Sequence, residues 1–362
     1  MDTLCKRLVL FACMAMLGSS GHGQERLTKT VDKEFVLSNK GKVQLTNKYG
    51  SVTVNGWDKN NVSVLVKITA IHKKKEYAEN LLGRIAIIDT KKNDLISIAS
   101  DISDKNTGFF TKYFNKVNPF DADRSNVEIN YTVYLPKNAE LQVTNTFGDL
   151  IIEDWSGKLK GEIQHGDVWI NENLNAIDLN LKYGKLRAKT IDYGTLRLKN
   201  GGLDMTGAKD LRINSSGSDI TIENIRSLEL YSSKDNIDIS ALGSVHGELK
   251  FSEMRVREMS GAIKMLMKIA DFRVSRFMSR EPTIDLTQES SEISLNISDL
   301  DFNFEATLEQ GLLRIPKSFK NVNTKMIDKG KRIREIRATY GSKGSGKISV
   351  NGKKGVVLLK EE

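Results

Sequence analysis

The sequence of 362 residues predicts an all-β fold in the form of a parallel β-solenoid. Between about Leu141 and Ile315, an apolar–x–apolar pattern recurs on either side of a glycine or small polar break. A fixed, short period indicates stacked supersecondary units, and units this short leave no room for a helical crossover. Only four prolines are present, which suits long hydrogen-bonded strands. The period is marked by nearly evenly spaced glycines: Gly148, Gly166, Gly184 and Gly201.

Alternation within each half-unit predicts which side chains point inward. We expect about nine or ten coils over residues 141–315, with stacked Leu, Ile and Val side chains in the interior. The predicted inward residues are Leu150, Ile152, Val168, Ile170, Leu186, Leu203, Ile220, Ile222, Ile237 and Ile239.

A second repeat joins the N-terminal region to the main stack. Lys42–Lys59 reads KVQLTNKYGSVTVNGWDK, and Glu140–Gly157 reads ELQVTNTFGDLIIEDWSG, with the shared residues at one constant offset. We expect the same coil to be used twice, at residues 24–70 and again from residue 127. Residues 71–126 interrupt the period with a helical segment and two strand-like segments, which predicts a small α+β insertion that caps the first coils. These segments are Lys73–Leu82, Arg84–Asp89 and Leu95–Ala99.

The C-terminal part of the main β-helix, residues 127–362, contains a polar and very basic excursion at residues 316–337. Gly344–Leu359 then recovers the strand–turn–strand pattern, so the fold is expected to close with a final coil or two.

Residues 1–23 are typical of a secretory signal peptide. Lys6 and Arg7 precede the apolar stretch Leu8–Leu17, and glycines at 21 and 23 place small residues before a cut ahead of Gln24. We therefore expect export to the periplasm or the cell surface. The stretch that ends at Cys13 superficially resembles a lipoprotein box, although few apolar residues separate it from Arg7.

Charge and cysteine content limit the classes of partner. Cys5 and Cys13 are the only cysteines, so the exported chain has no disulfide or thiol chemistry. Without Asp2, Lys6 and Arg7 it has 53 basic and 45 acidic residues, a net charge of +8 that favours acidic partners. Export argues against nucleic acid, and no later segment is apolar enough to span a membrane. The oligomeric state stays open.

Four motifs resemble those of a known family, the auto-transporter adhesins and related exported proteins with a head GIN-type or similar adhesin domain, which are abundant in Bacteroidetes-like bacteria. The motifs are Tyr131–Pro136 (YTVYLP), Asn145–Ile152 (NTFGDLII), His165–Ile170 (HGDVWI) and Gly346–Leu359. The resemblance implies a right-handed parallel β-helix at the cell envelope, with coils of about 17–20 residues and no established catalytic residues. Function must still be argued from a specific site, because a fold does not define a function.

The sequence offers no catalytic or metal-binding constellation. His72, His165 and His246 are the histidines that follow the leader, and no two of them have metal-ligand spacing. No metalloprotease, serine hydrolase or nucleotide-binding motif is present. We predict no catalytic residues, no metal and no cofactor.

Two groups of residues are candidates for binding. The first is a basic strip on polar positions of neighbouring coils: Lys182, Lys185, Arg187, Lys189, Arg197 and Lys199. Outward residues on successive coils stack at about 4.8 Å, so a strip of like charges either stays solvated or meets an anion. The second group is an aromatic loop whose side chains either pack on the cap or stack on sugar rings: Phe109, Phe110 and Tyr113, with Phe114 and Phe120.

Together these features predict a non-catalytic envelope protein whose repetitive surface serves adhesion or binding, with anionic glycans as the ligand class. Two alternatives stay open. A parallel β-helix can host a polysaccharide lyase or hydrolase, which requires an acid–base constellation. The protein can also be a periplasmic sensor or assembly partner.

Overall fold

The computed structural model describes residues 24–102 and 126–361, which form an all-β, solenoid-like structure with a single helix in the described part. The leader at residues 1–23 and the aromatic loop with Phe109, Phe110 and Tyr113 lie outside the described residues. Within the described residues, no helix is long and apolar enough to cross a membrane.

The N-terminal half of the described chain contains strands and one helix. They are β1 Glu25–Val36, β2 Lys42–Asn47, β3 Val52–Trp57, β4 Asn61–His72, α1 Lys75–Gly83, β5 Ile85–Lys92, β6 Leu95–Ile102, β7 Val127–Pro136, β8 Glu140–Thr146, β9 Leu150–Glu153, β10 Lys158–Gln164, β11 Val168–Ile170, β12 Leu174–Lys182 and β13 Lys185–Lys199.

The C-terminal half of the described chain consists of strands joined by turns. It contains β14 Gly202–Ser216, β15 Asp219–Ser233, β16 Asn236–Lys250, β17 Glu253–Met259, β18 Ile263–Lys268, β19 Asp271–Phe277, β20 Thr283–Glu289, β21 Glu292–Asn296, β22 Phe302–Glu309, β23 Leu312–Arg314, β24 Lys320–Asp328, β25 Ile333–Tyr340, β26 Gly346–Lys353 and β27 Val356–Lys360.

Each coil contributes one strand segment to each of two ladders. In the first ladder β10 lies between β8 and β12, and in the second β11 lies between β9 and β13, all in parallel register. Lys158 lies opposite Glu140 on one side and Ala176 on the other, at equal separations along the chain. Between β8 and β21, the other coils depart from this separation by only one to three residues. Coil length is therefore nearly constant, which produces the sequence period.

The interior is one continuous hydrophobic core that runs through the stack. Strand segments alternate between buried and accessible residues, as in β10 and β18, because successive side chains point to opposite faces. All ten residues predicted to point inward, from Leu150 to Ile239, are at most 2% exposed.

The two copies of the internal repeat are neighbouring coils. β2 pairs with β8 and β3 pairs with β9, and Lys42 lies opposite Glu140 at the constant offset seen in the sequence. Gln44 Nε2 donates to its repeat equivalent, Gln142 Oε1, at 3.2 Å. On its other side this coil pairs with β6 and β7, so it is enclosed within the stack.

Antiparallel strands cover the N-terminal end of the stack. β4 pairs with β7, β1 pairs with β4, and β5 pairs with β6, all antiparallel, while α1 contacts β1 and β4. The region 24–70, expected to form coils, thus contains one coil (β2–β3) and cap strands, and the 70/71 boundary falls within β4. Within the expected insertion, β6 is itself a coil strand. Antiparallel pairing uses the backbone groups of the end coil and leaves fewer of them open.

The C-terminal end repeats this arrangement. The last coil in the chain, β26–β27, lies between β20–β21 and β22–β23, so it is enclosed by earlier coils. The excursion at residues 316–337 includes strand β24 and part of β25, which pair as an antiparallel hairpin on β22. The first and last coils of the sequence are therefore both internal in space.

Candidate functional site

The glycine period arises from close contact between coils at one turn. A Cβ atom added to Gly166 would lie 2.0 Å from the carbonyl oxygen of Gly148, and one added to Gly184 would lie 2.0 Å from that of Gly166. At this distance the added Cβ atom would overlap the carbonyl oxygen, so any residue other than glycine would require the backbone to shift. In later coils, the position equivalent to these glycines is occupied by Ser218, Asp235 and Ser252. These residues are buried and are hydrogen-bonded to one another or to neighbouring turns.

The residue before each of these positions adopts a left-handed backbone. Phe147, His165 and Tyr183 have φ values of 63°, 55° and 57°, and Asn200 has φ of 50° in the next coil. Glycine and asparagine tolerate this conformation, whereas a bulky side chain there costs about 1–2 kcal/mol. The same conformation recurs at Lys234, Phe251 and Ile269, with φ values of 60°, 52° and 50°, so it is a feature of the coil turn throughout the stack.

These turn residues form a continuous stack of rings, which we call the aromatic ladder: Tyr49, Phe147, His165 and Tyr183. Ring centroids are 5.7, 4.9 and 4.8 Å apart, and the interplanar angles are 9°, 7° and 5°. Phe147 is 37% exposed and Tyr183 is 46% exposed. Ring stacking stabilises by about 0.5–1.5 kcal/mol per pair, comparable to the cost of the left-handed backbone.

Two lysines lie beside the last ring of the ladder. Lys182 and Lys199 are opposite each other in the first ladder of strands, and the N–H of Tyr183 donates to the carbonyl oxygen of Lys199 at 3.0 Å. Among the described residues, no carboxylate lies within ion-pairing distance of either ammonium group. Two like charges on adjacent strands repel unless an anion or solvent separates them.

The other members of the predicted strip are paired with carboxylates of neighbouring coils. Arg187 Nη1 lies 2.7 Å from Asp167 Oδ2, and Arg197 forms an ion pair with Asp178. The Lys185 ammonium group lies 3.4 Å from Asp204 Oδ2. Lys189 likewise pairs with Glu172 at 3.7 Å. The strip is thus a mixed ion-pair surface in which Lys182 and Lys199 keep uncompensated charge.

The Asp167–Arg187 pair also anchors Trp169. Burial acts to raise the pKa of Asp167, but hydrogen bonds from the Arg187 guanidinium and the Lys185 N–H hold that pKa below its ordinary value. The same guanidinium lies 4.2 Å from the centroid of the Trp169 ring, a cation–π contact. Arg187 is therefore engaged on two sides and is less available to an external anion.

The edge of the solenoid formed by these turns, which we call the turn edge, changes from positive to negative charge along the stack. Beyond Lys199, the outward positions near the same turn carry mainly carboxylates, and those that line a shallow groove are Asp219, Glu253, Asp271 and Glu292. No group of three or more His, Cys, Asp or Glu side chains in the described ranges is arranged to hold a metal ion. Lys182 and Lys199 lie at the positive end of this edge, while the groove is also lined by the basic residues Lys234 and Arg255.

The aromatic ladder was not recognised from the sequence, although its signal was present. An aromatic or imidazole residue precedes the turn glycine in four coils, at Tyr49, Phe147, His165 and Tyr183. The candidates Phe109, Phe110 and Tyr113 lie outside the described residues, so their role stays a prediction.

The chain matches several solved structures, each at low sequence identity and with a TM-score below 0.5. A "putative adhesin" of Parabacteroides distasonis is 12% identical, with a TM-score of 0.39, and the match covers 72% of this chain and 92% of that one. A "putative adhesin" of Parabacteroides merdae is 11% identical, with coverages of 74% and 96% and a TM-score of 0.30. One of Bacteroides fragilis is 13% identical, with coverages of 92% and 97% and a TM-score of 0.27. No curated protein matches the chain.

Family membership is clearer than these structural likenesses. The Toastrack DUF4097 family matches residues 66–351, which include most strands of both ladders. The adhesin-like resemblance seen in the sequence, with its auto-transporter and head GIN-type features, stays a prediction. The chain belongs to the Toastrack DUF4097 family.

Proposed function

We propose that the protein is an exported, non-catalytic envelope protein that binds an anionic envelope component through the turn edge of its solenoid. The observation that carries this proposal is the pair Lys182 and Lys199, stacked on adjacent coils without a carboxylate partner among the described residues. The ligand class is a glycan that bears carboxylate or phosphate groups. A bound anion would relieve the repulsion between the two ammonium groups and form charge-assisted hydrogen bonds with both.

The aromatic ladder supports a glycan as the ligand. Tyr183 is 46% exposed and follows Lys182 directly, so an anionic sugar held by the lysines would lie beside an aromatic ring. Aromatic residues offer apolar surface to sugar rings.

The non-catalytic part of the proposal rests on how the titratable groups are engaged. The described carboxylates with lowered pKa values, such as Asp167 and Asp301, are held by neighbouring backbone or side-chain donors of the solenoid. We also propose a right-handed sense for the coils, since connections between parallel strands of one sheet are right-handed in about 98% of cases.

The test is binding of the chain from Gln24 to Glu362 to polygalacturonate oligomers, with neutral dextran as the comparison ligand. Binding should be confined to the polyanion and should weaken with salt, because the screening length falls from about 10 Å at 0.1 M to about 3 Å at 1 M. Lys182→Glu with Lys199→Glu should weaken it roughly tenfold or more. The charge-matched control is Lys29→Glu with Lys67→Glu, two exposed lysines of the cap strands β1 and β4, which should leave binding nearly unchanged.

Binding that is insensitive to salt, or equal loss in both double variants, would contradict the proposed site. Release of unsaturated oligosaccharides from the polygalacturonate would instead identify a lyase.

A further inference from the structure

The hairpin β24–β25 is the most strongly charged segment of the chain. Residues 316–337 carry eight basic and two acidic side chains, a net charge of +6, whereas the whole exported chain carries +8. Most of the net positive charge is therefore concentrated at the C-terminal end of the solenoid. This concentration is independent of the site proposed above.

Much of this charge is uncompensated. Arg337 pairs with Glu335 at 2.6 Å, and Arg334 donates to the carbonyl oxygen of Gly311. Five further basic side chains are exposed and have no carboxylate within ion-pairing distance in the described part of the chain: Lys317, Lys325, Lys329, Lys331 and Arg332. Three of them lie in the turn that joins the two strands. In this turn the N–H of Lys331 donates to Asp328 Oδ1 at 2.9 Å.

Apolar side chains are exposed on the same hairpin. Val322, Met326 and Ile327 are 52%, 51% and 53% exposed, and eight of the nine residues of β24 are exposed. These three aliphatic side chains are clustered on one strand amid uncompensated positive charge, and a clustered apolar surface is typical of an interaction site. They match a surface that offers both negative charge and an apolar layer.

We propose that the hairpin β24–β25 docks the protein onto the surface of an anionic phospholipid bilayer. The lysines and arginines would lie at the headgroups, where each basic residue adds favourable interaction with anionic lipid, and the aliphatic side chains would enter the interface. The described part of the hairpin exposes no aromatic ring that would favour a sugar.

Two other occupants fit the hairpin less well. Strand addition to the free edge of β24 is disfavoured because register shifts occur between Lys320 and Asn323 and between Met326 and Asp328. Bulges and lysines on an edge strand are devices that prevent such pairing. A second copy docked hairpin to hairpin would bring two segments of net charge +6 together, which repel.

The test is co-sedimentation of the chain from Gln24 to Glu362 with phosphatidylcholine vesicles, with and without phosphatidylglycerol. Binding is expected only with phosphatidylglycerol. Lys329→Glu with Lys331→Glu should lower the affinity about tenfold or more. Met326→Ser with Ile327→Ser, which keeps the charge, should also lower it severalfold. All four side chains are largely accessible, so thermal unfolding should not change, and this is checked on each variant.

Matched controls lie on the solenoid surface. Lys234→Glu with Lys264→Glu makes the same charge change at two exposed lysines, and Leu266→Ser with Ile269→Ser removes two side chains that are 55% and 50% exposed. Both should bind vesicles as the parent does. Equal binding to neutral vesicles, or equal loss in variants and controls, would overturn the proposal.

Binding of a soluble polyanion distinguishes recognition of negative charge from recognition of the lipid bilayer. Binding of inorganic polyphosphate should fall with the charge reversal but not with the serine pair, whereas vesicle binding should fall with both. If the serine pair leaves vesicle binding intact, the hairpin is an anion site only, and the bilayer proposal fails. If the variants abolish self-association and leave vesicle binding unchanged, the hairpin is an interface between copies, which also overturns the proposal.

Discussion

The carboxylate of Asp301 accepts a hydrogen bond from the backbone N–H of Ser342 at 2.9 Å. The N–H groups of Lys343, Gly344 and Ser345 and the Ser342 hydroxyl donate to the same carboxylate. This loop leads directly into β26, the strand that enters between two earlier coils. One acidic side chain therefore fixes the point at which the last coil is inserted.

Replacement of Asp301 by Ala should destabilise the C-terminal coils and lower the urea midpoint at neutral pH. N–H groups of Lys343 and Ser342 hold the pKa of Asp301 below its ordinary value. A group with a lowered pKa stabilises the fold above its unfolded pKa, about 3.9, and this contribution is lost as pH falls through the folded pKa. The midpoint difference between parent and variant should therefore be constant from about pH 6 to 8 and should shrink below about pH 4.

The control for Asp301 is Asp285→Ala, an exposed carboxylate on β20. It should change the midpoint little at any pH. A difference between parent and Asp301→Ala that grows on acidification would contradict the role assigned to the carboxylate.

Gly166→Ala should destabilise the solenoid by about 1–3 kcal/mol, because the added Cβ would lie 2.0 Å from the carbonyl oxygen of Gly148. Gly83→Ala is the matched control, since nothing lies within 4 Å of the Cβ it would add. Thermal and urea unfolding of both variants provide the comparison. Equal stability of the two would show that the coils can separate at this turn.

Ile222→Ala should cost about 2–5 kcal/mol, because Ile222 is completely buried in the centre of the stack. Thr221→Ala, one residue away on the exposed side of β15, should change the free energy of unfolding by less than about 0.5 kcal/mol. The pair is measured by urea unfolding. A similar effect of both would be inconsistent with the inward and outward assignment of this strand.

Variants of His165 should separate backbone strain from ring stacking. His165→Ala removes two stacked contacts and keeps a Cβ at φ 55°, so it should be the least stable. His165→Gly removes the same contacts but relieves the strain, and it should recover about 1 kcal/mol of the loss. His165→Phe should stay close to the parent. If Ala and Gly variants are equally stable, the left-handed backbone carries no cost here.

The sequence predicted the repeating part of the fold because the glycine period and an inward position such as Ile222 depend only on local alternation. The coil order at the ends could not be predicted in this way. Enclosure of β26–β27 depends on contacts between distant segments, such as Asp301 with Ser342. The ion pairs of the strip were missed for a similar reason, because Asp167 and Arg187 meet only in the register that stacks their coils.

The central claim is that an anionic glycan binds at Lys182 and Lys199, and hydrogen–deuterium exchange tests it most directly. Backbone exchange is compared with and without saturating polygalacturonate oligomers. The N–H groups of His165 and Tyr183, which donate to the carbonyl oxygens of Lys182 and Lys199, lie within the proposed site. Slower exchange centred on residues 164–201 is the predicted result. Unchanged exchange there, with protection confined to another part of the chain, would contradict the claim.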